Sequence, residues 1–352
     1  MEEFKRMFGE YPSRRVSSPL EKGDHPELDT SDLLDEDGIR MYQSLIGTLQ
    51  WTISLGRFDV ATAVMSMSSF RVAPRKGHLE RLKRVCGYLY KFKDGCIRVR
   101  TGIPDYSDLP AKEYDWERTV YGKSREVLPD DAPAAKGKRV VITVYKDANL
   151  NHDLTTGKAV SGILTFINQT PIDWYTKKQA TVETATYGSE FASAKTAVQQ
   201  IAALRTTLRY LGVPVGGPTF LFGDNESVVK SGSIPHSLLH KRHHALAYHK
   251  VREAIASKMV AFYHLPGVIN PADILSKHWG HSCLYHQLLK PILFYYGDTL
   301  DLLEHTIVAD NTMEEQEGSD KFPVAPGITS TLRTSIGTSK EVGVGGLAAG
   351  KY

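Results

Sequence analysis

The sequence predicts an α/β protein in which a mixed β-sheet is flanked by helices and preceded by a small helical module. From residue 138 onward, β-branched and aromatic runs alternate with amphipathic stretches in the order βββαβαβα. This order is typical of a mixed sheet with helices on its faces. Residues 38–93 instead hold three stretches whose apolar residues recur at helical spacing. With 41% hydrophobic residues in a length of 352, the chain can bury cores for both parts.

The chain divides where composition and period change. We expect a polar N-terminal segment at 1–37, a helical region at 38–93, a connector at 94–137, the α/β domain at 138–285, a C-terminal extension at 286–304 and a disordered tail at 305–352. The tail is rich in Gly, Ser, Thr and acids, which do not supply a packed core. The connector contains four prolines, so it is predicted to be irregular, with a strand at 97–100.

The elements follow from hydrophobic period and from helix stop signals. Helices are predicted at 42–53, 59–70, 78–91, 186–211 and 240–258, with a last one from 272. Strands are predicted at 139–145, 160–167, 172–176, 219–222 and 259–265. Gly212 and Pro214 end the long helix. Asn225 or Ser227 caps a short helix after the fourth strand of the domain.

Four acids stand at the edges of these predicted elements. Asp147 lies where the first strand of the domain ends, and Glu190 opens the long helix. Asp224 ends the fourth strand, and Asp273 opens the last helix. Each acid taken alone is better explained as a turn former or a helix cap, because Asp and Asn are common in such positions. Together, four carboxylates that converge at one end of a sheet predict a site for two metal ions.

Composition excludes several classes of protein. No apolar run reaches the length of a membrane span, and the acidic start Met1-Glu2-Glu3 lacks the features of a signal peptide. The scattered cysteines Cys86, Cys96 and Cys283 form neither a disulfide framework nor a zinc motif, which favours a reducing compartment. Residues 298–352 hold nine acids and four bases, a net charge of −5. Because the whole chain carries +3, the remaining residues carry +8. A basic region of this size either binds a phosphate backbone or favours solubility.

Short motifs in both parts carry a resemblance to a known family. In the α/β domain they are Ser161-Gly162, Ile172-Asp173-Trp174, Lys177-Lys178-Gln179, Ser189-Glu190-Phe191, Asp224-Asn225, Lys241-Arg242-His243, Tyr248-His249, Arg252-Glu253 and Ala272-Asp273-Ile274-Leu275-Ser276-Lys277. Together they resemble the ribonuclease H domain of copia-type LTR retrotransposon polyproteins. Upstream, the residues from Tyr42 to Leu49 and Arg57-Phe58-Asp59-Val60-Ala61 resemble the thumb and connection region that follows the reverse transcriptase palm in the same polyproteins.

The resemblance implies a ribonuclease H-like five-stranded mixed sheet. It implies hydrolysis of the RNA strand of RNA–DNA hybrids with two Mg²⁺ ions, for which Mn²⁺ is a substitute. Asp147 would bridge both ions, Glu190 and Asp224 would hold the ion at the leaving group, and Asp273 would hold the ion that activates water. The chemistry agrees, because phosphodiester hydrolysis suits two divalent ions and Mg²⁺ prefers carboxylate oxygens.

The implied partners are the RNA–DNA hybrid and the polymerase part of the same element, with no membrane. The implied location is the cytoplasmic retroelement particle or the nucleus, and the oligomeric state stays open. Residues expected to contact nucleic acid are Lys177, Lys178, Gln179, Asn225, Lys241, Arg242, Arg252, Arg81 and Arg84. For the basic residues among them, the alternatives are an exposed turn, a packing role or a solvated helix face.

The sequence also departs from the family pattern. It contains no Tyr-x-Asp-Asp segment, so DNA synthesis by this chain alone is not expected. Residues 266–271, before the last acid, contain no histidine, and His264 is predicted to lie within the preceding strand. The alternative to an active nuclease is therefore a catalytically silent, nucleic-acid-binding remnant of a truncated element.

A cluster of histidines raises a second metal hypothesis. It consists of His236, His240, His243, His244 and His249. His240 and His244 are one helical turn apart, but no Cys or carboxylate completes a zinc set at a known spacing. We therefore expect packing and phosphate contacts from this region rather than zinc.

Overall fold

The computed structural model describes residues 1–239, 242–278, 283–289 and 292–295. Its α-helices are α1 (Glu2–Phe8), α2 (Glu36–Ser54), α3 (Ala61–Ser68), α4 (Lys76–Lys91), α5 (Thr186–Tyr210), α6 (Glu226–Ser233), α7 (Ala245–Ala256) and α8 (Cys283–Leu289). Its strands are β1 (Gly95–Ile97), β2 (Ile142–Asn149), β3 (Val160–Ile167), β4 (Thr170–Lys178), β5 (Thr219–Gly223), β6 (Val260–His264) and β7 (Leu293–Tyr295). Short 3₁₀ helices lie at Pro26–Leu28, Phe58–Val60, Arg242–His244, Gly267–Ile269 and Pro271–Leu275.

Five strands form one mixed sheet in the order β4-β3-β2-β5-β6. The first three strands of this sheet along the chain, β2, β3 and β4, pair antiparallel, as consecutive strands commonly do. β5 and β6 then join the other edge, each parallel to its neighbour, after helical crossovers. This order and pairing confirm the predicted fold class, a ribonuclease H-like five-stranded mixed sheet flanked by helices and preceded by a helical module.

The two faces of the sheet have different covers. On one face, Val144 and Leu221 belong to a core that α5 and α7 complete with Phe191 and Val251. On the other face, the aromatic residues Tyr145, Phe222, Tyr263 and Tyr106 form a separate cluster with Leu109, Leu265 and Ala272. Because side chains alternate along a strand, neighbours such as Val144 and Tyr145 enter different cores.

The connector packs along the sheet and is more than a spacer. Tyr106 packs against Phe220 on the aromatic face, with the two rings tilted and their centroids 4.5 Å apart. Further along, Lys112 donates to the carbonyl oxygen of Phe262 on the edge strand β6. Trp116 is then buried in the core beneath α5 and α7. The connector therefore passes around the β6 edge and covers backbone groups that an open edge strand would expose.

Several predicted boundaries differ from the structure because distant partners set them. The strand expected at 97–100 is β1, which ends at Ile97 because its partner β7 spans only three residues. The helix expected at 240–258 begins as α7 at Ala245, after a 3₁₀ turn; residues 240 and 241 lie outside the described part. The helix expected from 272 is a 3₁₀ helix at Pro271–Leu275, capped by Asn270, whose side chain accepts from the amide of Ala272.

The helical module shares its core with one end of the sheet. Tyr42 and Met67 belong to the same buried cluster as Leu164 of β3 and Ile274 of the last 3₁₀ helix. Across this contact, the hydroxyl of Thr62 donates to the carbonyl oxygen of Ile274 at 3.0 Å. The two parts are therefore joined by buried apolar packing as well as by the connector.

The N-terminal segment, which shows no period in the sequence, contains α1 and the 3₁₀ helix Pro26–Leu28. Phe4 and Leu20 from this segment are buried in the core of the helical module. Its local pattern is weak because these residues pack on other elements and not on one another. The predicted disordered tail at 305–352 and most of the extension at 286–304 lie outside the described residues.

Candidate active site

Four elements bring the predicted acids to one edge of the sheet. Asp147 lies in β2, and Asp224 directly follows β5, the parallel neighbour of β2. The carboxyl ends of these two strands therefore share an edge. Glu190 lies in the first turns of α5, which packs on β2, and Asp273 lies in the 3₁₀ helix Pro271–Leu275 after β6. β2 continues to Asn149, beyond the predicted end at Tyr145, because Asn149 still pairs with β3.

A close approach of backbones positions Asp273. Gly162 of β3 is the partner of Asp147 in the β2–β3 ladder. A Cβ at Gly162 would lie 2.7 Å from the carbonyl oxygen of Ala272 and 2.9 Å from the amide nitrogen of Ser276. Only glycine leaves room for this contact, which sets the last 3₁₀ helix against the strand beside Asp147.

The acids form a group that could hold a metal ion. Asp147, Glu190 and Asp224 each offer one oxygen, and these oxygens lie within 4.8 Å of one another. Two oxygens bound to one hard divalent cation are at most about 4–5 Å apart, since each metal–oxygen bond is about 2.0–2.6 Å. The side chains of Asp147 and Glu190 are almost fully buried, whereas Asp224 is half-buried. The triad therefore fits a divalent cation in both donor type and spacing.

Two lysines that the sequence analysis did not single out neutralise part of the site. Lys146 is fully buried and donates to Oε2 of Glu190. Lys277 lies 2.6 Å from Oδ2 of Asp273 and 3.5 Å from Oδ2 of Asp147. The hydroxyl of Ser276 also donates to Asp147. Lys277 belongs to a quoted motif, and Lys146 adjoins Asp147, but local sequence does not indicate that either ammonium turns inward.

Burial and mutual repulsion shift the proton equilibria of these groups. Burial, with added repulsion from Asp147 and Asp224, raises the pKa of Glu190 to about 7 against the opposing effect of Lys146. Burial and Asp147 raise the pKa of Asp273 to about 8, although Lys277 opposes this. The same two causes raise the pKa of Asp224. Burial opposes the charge of Lys277, but Asp147 and Asp273 outweigh it and hold its pKa above the usual value.

Second contacts hold the carboxylates in place. Oε1 of Glu190 accepts from the amide of Ala148 at 3.3 Å. Ser193, one turn after Glu190 in α5, donates from its hydroxyl to the carbonyl oxygen of Asp147 at 2.9 Å. Asn270 donates to the carbonyl oxygen of Lys146 at 3.1 Å. The last 3₁₀ helix and α5 are thus both hydrogen-bonded to the strand that presents Asp147.

His264 lies at the rim of the site. It is the last residue of β6, and its Nε2 is 3.0 Å from the carbonyl oxygen of Asp224. The side chain is exposed. Its predicted position within the strand is confirmed. Local sequence does not indicate its contact with Asp224, because the parallel β5–β6 register, which pairs Gly223 with His264, creates that contact.

Two of the nine expected nucleic-acid contacts are exposed, and two others are partly buried with partners inside the protein. Lys177 is exposed at the end of β4, and Arg242 is exposed before α7. Lys178 is partly buried and forms an ion pair with Asp153 at 2.6 Å. Asn225 caps α6 by accepting from the amide of Val228 at 3.1 Å, as the sequence predicts. Lys241 lies outside the described residues.

Arg252 and Gln179 are structural, which contradicts the expected contacts. Arg252 is only 3% exposed, and its guanidinium donates to the carbonyl oxygens of Ser231, Ile234 and Pro235 at 2.6–2.7 Å. The buried side chain of Gln179 donates to the hydroxyl of Ser161 and the carbonyl oxygen of Ser189. Buried groups with these partners cannot also reach a phosphate backbone.

Arg81 and Arg84 do not form the free basic face that the helix pattern suggests. Arg81 is paired with Asp24 at 2.8 Å and with Asp29 at 2.5 Å. Arg84 is paired with Glu21 at 3.1 Å. The N-terminal segment supplies all three acids, so it covers this side of α4 and neutralises the charge expected to meet phosphates.

Within the described residues, the carboxylate triad is the sole group of three or more His, Cys, Asp or Glu side chains close enough to share a metal ion. The histidine cluster considered for zinc does not form such a group there, and His240 lies outside the described part. The helices within the described ranges include none with the length and apolar character needed to cross a membrane.

Strand order and pairing define a ribonuclease H-like protein. No protein-family model matches the chain. It is similar to the Retrovirus-related Pol polyprotein from transposon RE1 of Arabidopsis thaliana, with 23% identity over 236 residues that cover 67% of this chain and 14% of that protein. The corresponding polyprotein from transposon TNT 1-94 of Nicotiana tabacum is 25% identical over 238 residues, which cover 67% and 15%. The homologues of this chain are thus Pol polyproteins of copia-type retrotransposons, as predicted, and it matches about one seventh of their length.

Among solved structures, the chain is similar to LC11-RNase H1 in complex with RNA/DNA hybrid. The identity is 16% and the TM-score 0.31, over 38% of this chain and 93% of that one. Strand order and pairing, and not this superposition, establish the fold.

Proposed function

We propose that this chain hydrolyses the RNA strand of RNA–DNA hybrids as a Mg²⁺-dependent endonuclease with a two-metal mechanism. The observation that supports this function is the convergence of Asp147, Glu190 and Asp224 at the carboxyl ends of β2 and β5, with Asp273 beside them. The homology to retrotransposon Pol polyproteins supports a ribonuclease H type of hydrolase.

The donor set suits Mg²⁺, with Mn²⁺ as a substitute. Carboxylate oxygens are the ligands that hard divalent ions prefer. We assign Asp147, Glu190 and Asp224 to one ion and Asp147 with Asp273 to the second. When bound, two such ions activate water, align it with the phosphorus and neutralise the leaving oxygen.

The protein's own groups hold and orient these ligands. The amide of Ala148 and the ammonium of Lys146 fix the carboxylate of Glu190 before any ion arrives. Lys277 holds Asp273 and lies within 3.5 Å of Asp147, and its side chain is 35% exposed, so it can withdraw toward solvent. We propose that Lys177 and Arg242, which are exposed, contact a phosphate backbone outside the metal site.

The proposed substrate is a hybrid and not DNA duplex. A hybrid differs from DNA in the 2′-hydroxyls of its RNA strand and in its groove shape, which polar groups near the site can read. Single-stranded RNA would lack the second backbone. We therefore expect preferential cleavage of the RNA strand in a hybrid.

Cleavage of a labelled RNA–DNA hybrid with and without Mg²⁺ tests the function. Asp147→Asn should lower the cleavage rate by about 100-fold or more, because one neutralised ligand weakens both ions. Asp94→Asn, at an exposed turn, is the matched control and should cut at the wild-type rate. Equal rates for the two variants, or equal cutting of hybrid and DNA duplex, would reject the proposal.

A second candidate is a nucleic-acid-binding protein that does not cleave. Lys146 and Lys277 already form ion pairs with carboxylates that a metal ion would need as ligands. This pairing favours a protein that binds nucleic acid without cleaving it. This second candidate predicts hybrid binding with no Mg²⁺-dependent cleavage at any metal concentration. The same labelled hybrid, followed by both binding and cleavage, separates the two functions.

A further inference from the structure

Lys146 occupies an unusual place for a lysine. It lies in β2, the central strand of the sheet, and none of its side-chain surface is exposed. Its ammonium donates to Glu190 and lies 5.8 Å from the centre of the Phe262 ring. An ammonium removed from water requires an anionic partner, and Glu190 supplies it.

The path of this side chain depends on a glycine. A Cβ at Gly223, the last residue of β5, would lie 2.3 Å from Cε of Lys146 and 3.0 Å from its Nζ. The missing side chain at Gly223 leaves the space through which Lys146 crosses toward Glu190. The same Gly223 precedes Asp224, so this space lies directly beside the carboxylate triad.

The two lysines of the site differ in freedom. Lys277 has 35% of its side chain exposed and can leave its carboxylate partners by rotating toward water. Lys146 has no such path, because it is enclosed by the sheet and α5. An arriving metal ion can therefore displace Lys277, but it must share Glu190 with Lys146.

We propose that Lys146 is a built-in cation that competes with divalent metal for Glu190 and sets the metal affinity of the site. This inference rests on the proposed metal-dependent function. Before metal binds, Lys146 keeps Glu190 in place and offsets its repulsion from Asp147 and Asp224. Once an ion is present, the same fixed charge repels it at short range and in a buried environment, where charges interact strongly. Lys146 thus acts on the reaction as a positioning residue, through Glu190.

Metal affinity measured without nucleic acid tests this role. Lys146→Met keeps a similar volume and removes the charge, so Mn²⁺ titration followed by calorimetry or electron paramagnetic resonance should give a dissociation constant at least tenfold lower. Lys177→Met, at an exposed lysine outside the carboxylate site, is the matched control and should leave the constant unchanged. An unchanged or weaker affinity in Lys146→Met, or an equal gain in Lys177→Met, would overturn the proposal.

Thermal melts in chelator give a second test that requires neither metal nor folding of Lys146→Met. Asp224→Asn should raise the melting temperature at pH 7, because it only removes repulsion. Glu190→Gln should raise it less, or lower it, because this change also leaves the ammonium of Lys146 buried without an anion. A rise in Glu190→Gln as large as that in Asp224→Asn would show that Lys146 does not depend on Glu190 and would refute the inference.

The two proposals fail in different ways. If Lys146→Met tightens Mn²⁺ binding and no variant cleaves a hybrid, the proposed nuclease function is wrong and the role of Lys146 stands. If the wild type cleaves hybrid and Lys146→Met leaves metal affinity unchanged, the role of Lys146 is wrong and the function stands.

Discussion

Charge balance is the main property of this protein at the scale of single residues. Four carboxylates and two ammonium groups share one end of the sheet, where Lys146 is paired with Glu190 and Lys277 with Asp147 and Asp273. The site therefore keeps two uncompensated negative charges when all six groups are ionised. Those charges attract a divalent cation, and their mutual repulsion destabilises the metal-free protein.

The metal-free protein should lose stability as the pH rises from about 5 to about 8. The folded state raises the pKa of Glu190 to about 7 and that of Asp273 to about 8, so it binds protons more tightly than the unfolded chain does. Such acids stabilise the fold below their unfolded pKa values, and this contribution is lost as pH rises through the folded values. Melts in chelator should show a fall of roughly 5 °C or more, which Asp273→Asn reduces. A flat or rising melting temperature would contradict the assigned shifts.

Arg252 and Arg242 lie ten residues apart and should behave oppositely. Arg252→Met removes a buried guanidinium from three carbonyl oxygens, so it should destabilise the fold by about 3 kcal/mol and leave the salt dependence of hybrid binding unchanged. Arg242→Met should leave stability unchanged and reduce the salt slope of binding by about one. Denaturant unfolding and binding at several salt concentrations measure both effects. A reduced slope in Arg252→Met alone would reverse these assignments.

Among the elements, the connector packs against both faces of the sheet and covers its β6 edge. It has no regular structure between β1 and β2 in the described chain, yet it reaches both cores and covers the β6 edge. Its strongest anchor is Glu126, which accepts from Arg205 and Arg209 on α5 at 2.7–2.9 Å. The long helix and the connector are thus held together by a compact, largely buried ion-pair network.

Glu126→Gln should weaken this anchor in a pH-dependent way. Burial alone would raise the pKa of Glu126, but Arg205 and Arg209 outweigh it and hold the value at about 2. A lowered pKa contributes stability above the unfolded value near 4.5, and that stability is lost as pH falls toward 2. At pH 7 the variant should be less stable by about 2 kcal/mol, and the difference should vanish near pH 2. Glu117→Gln, at an exposed pair, should match the wild type in the same denaturant series.

At the scale of the whole molecule, the helical module and the sheet share buried contacts. The ring of Phe58 packs against Trp174 of β4, with centroids 5.2 Å apart. Tyr285 of α8 donates to the carbonyl oxygen of Asp59 at 2.8 Å. Together with the contact between Thr62 and the 3₁₀ helix that holds Asp273, this packing connects the module directly to the site.

The described parts should therefore unfold together. Phe58→Ala removes a fully buried ring at the contact between module and sheet, so it should lower stability by about 3–4 kcal/mol and shift one single calorimetric transition. Trp51→Ala, on the exposed side of α2, is the control and should change stability by less than about 0.5 kcal/mol. Two separate transitions, with only one of them shifted, would mean that the module and the sheet unfold independently.

The order of the main elements, the type of sheet and the placement of the four acids near element ends are predicted from the sequence. These follow from local signals: strand and helix periods, the helix stop at Gly212, and the cap at Asn225. Tertiary structure decided which charges face one another. Helical spacing predicts that Arg81 lies on the outer side of its helix. It does not predict that Asp24, from the N-terminal segment, pairs with Arg81 and covers that side.

The burial and pairing of Lys146 inside the sheet also depend on tertiary structure. A lysine in a β-branched run carries no local sign of burial, and its orientation depends on the space above Gly223 and on Glu190 of a distant helix. Local period can place a residue on an element, because the period comes from the backbone itself. The partner of its charge comes from chain segments tens of residues away, so only the folded structure specifies it.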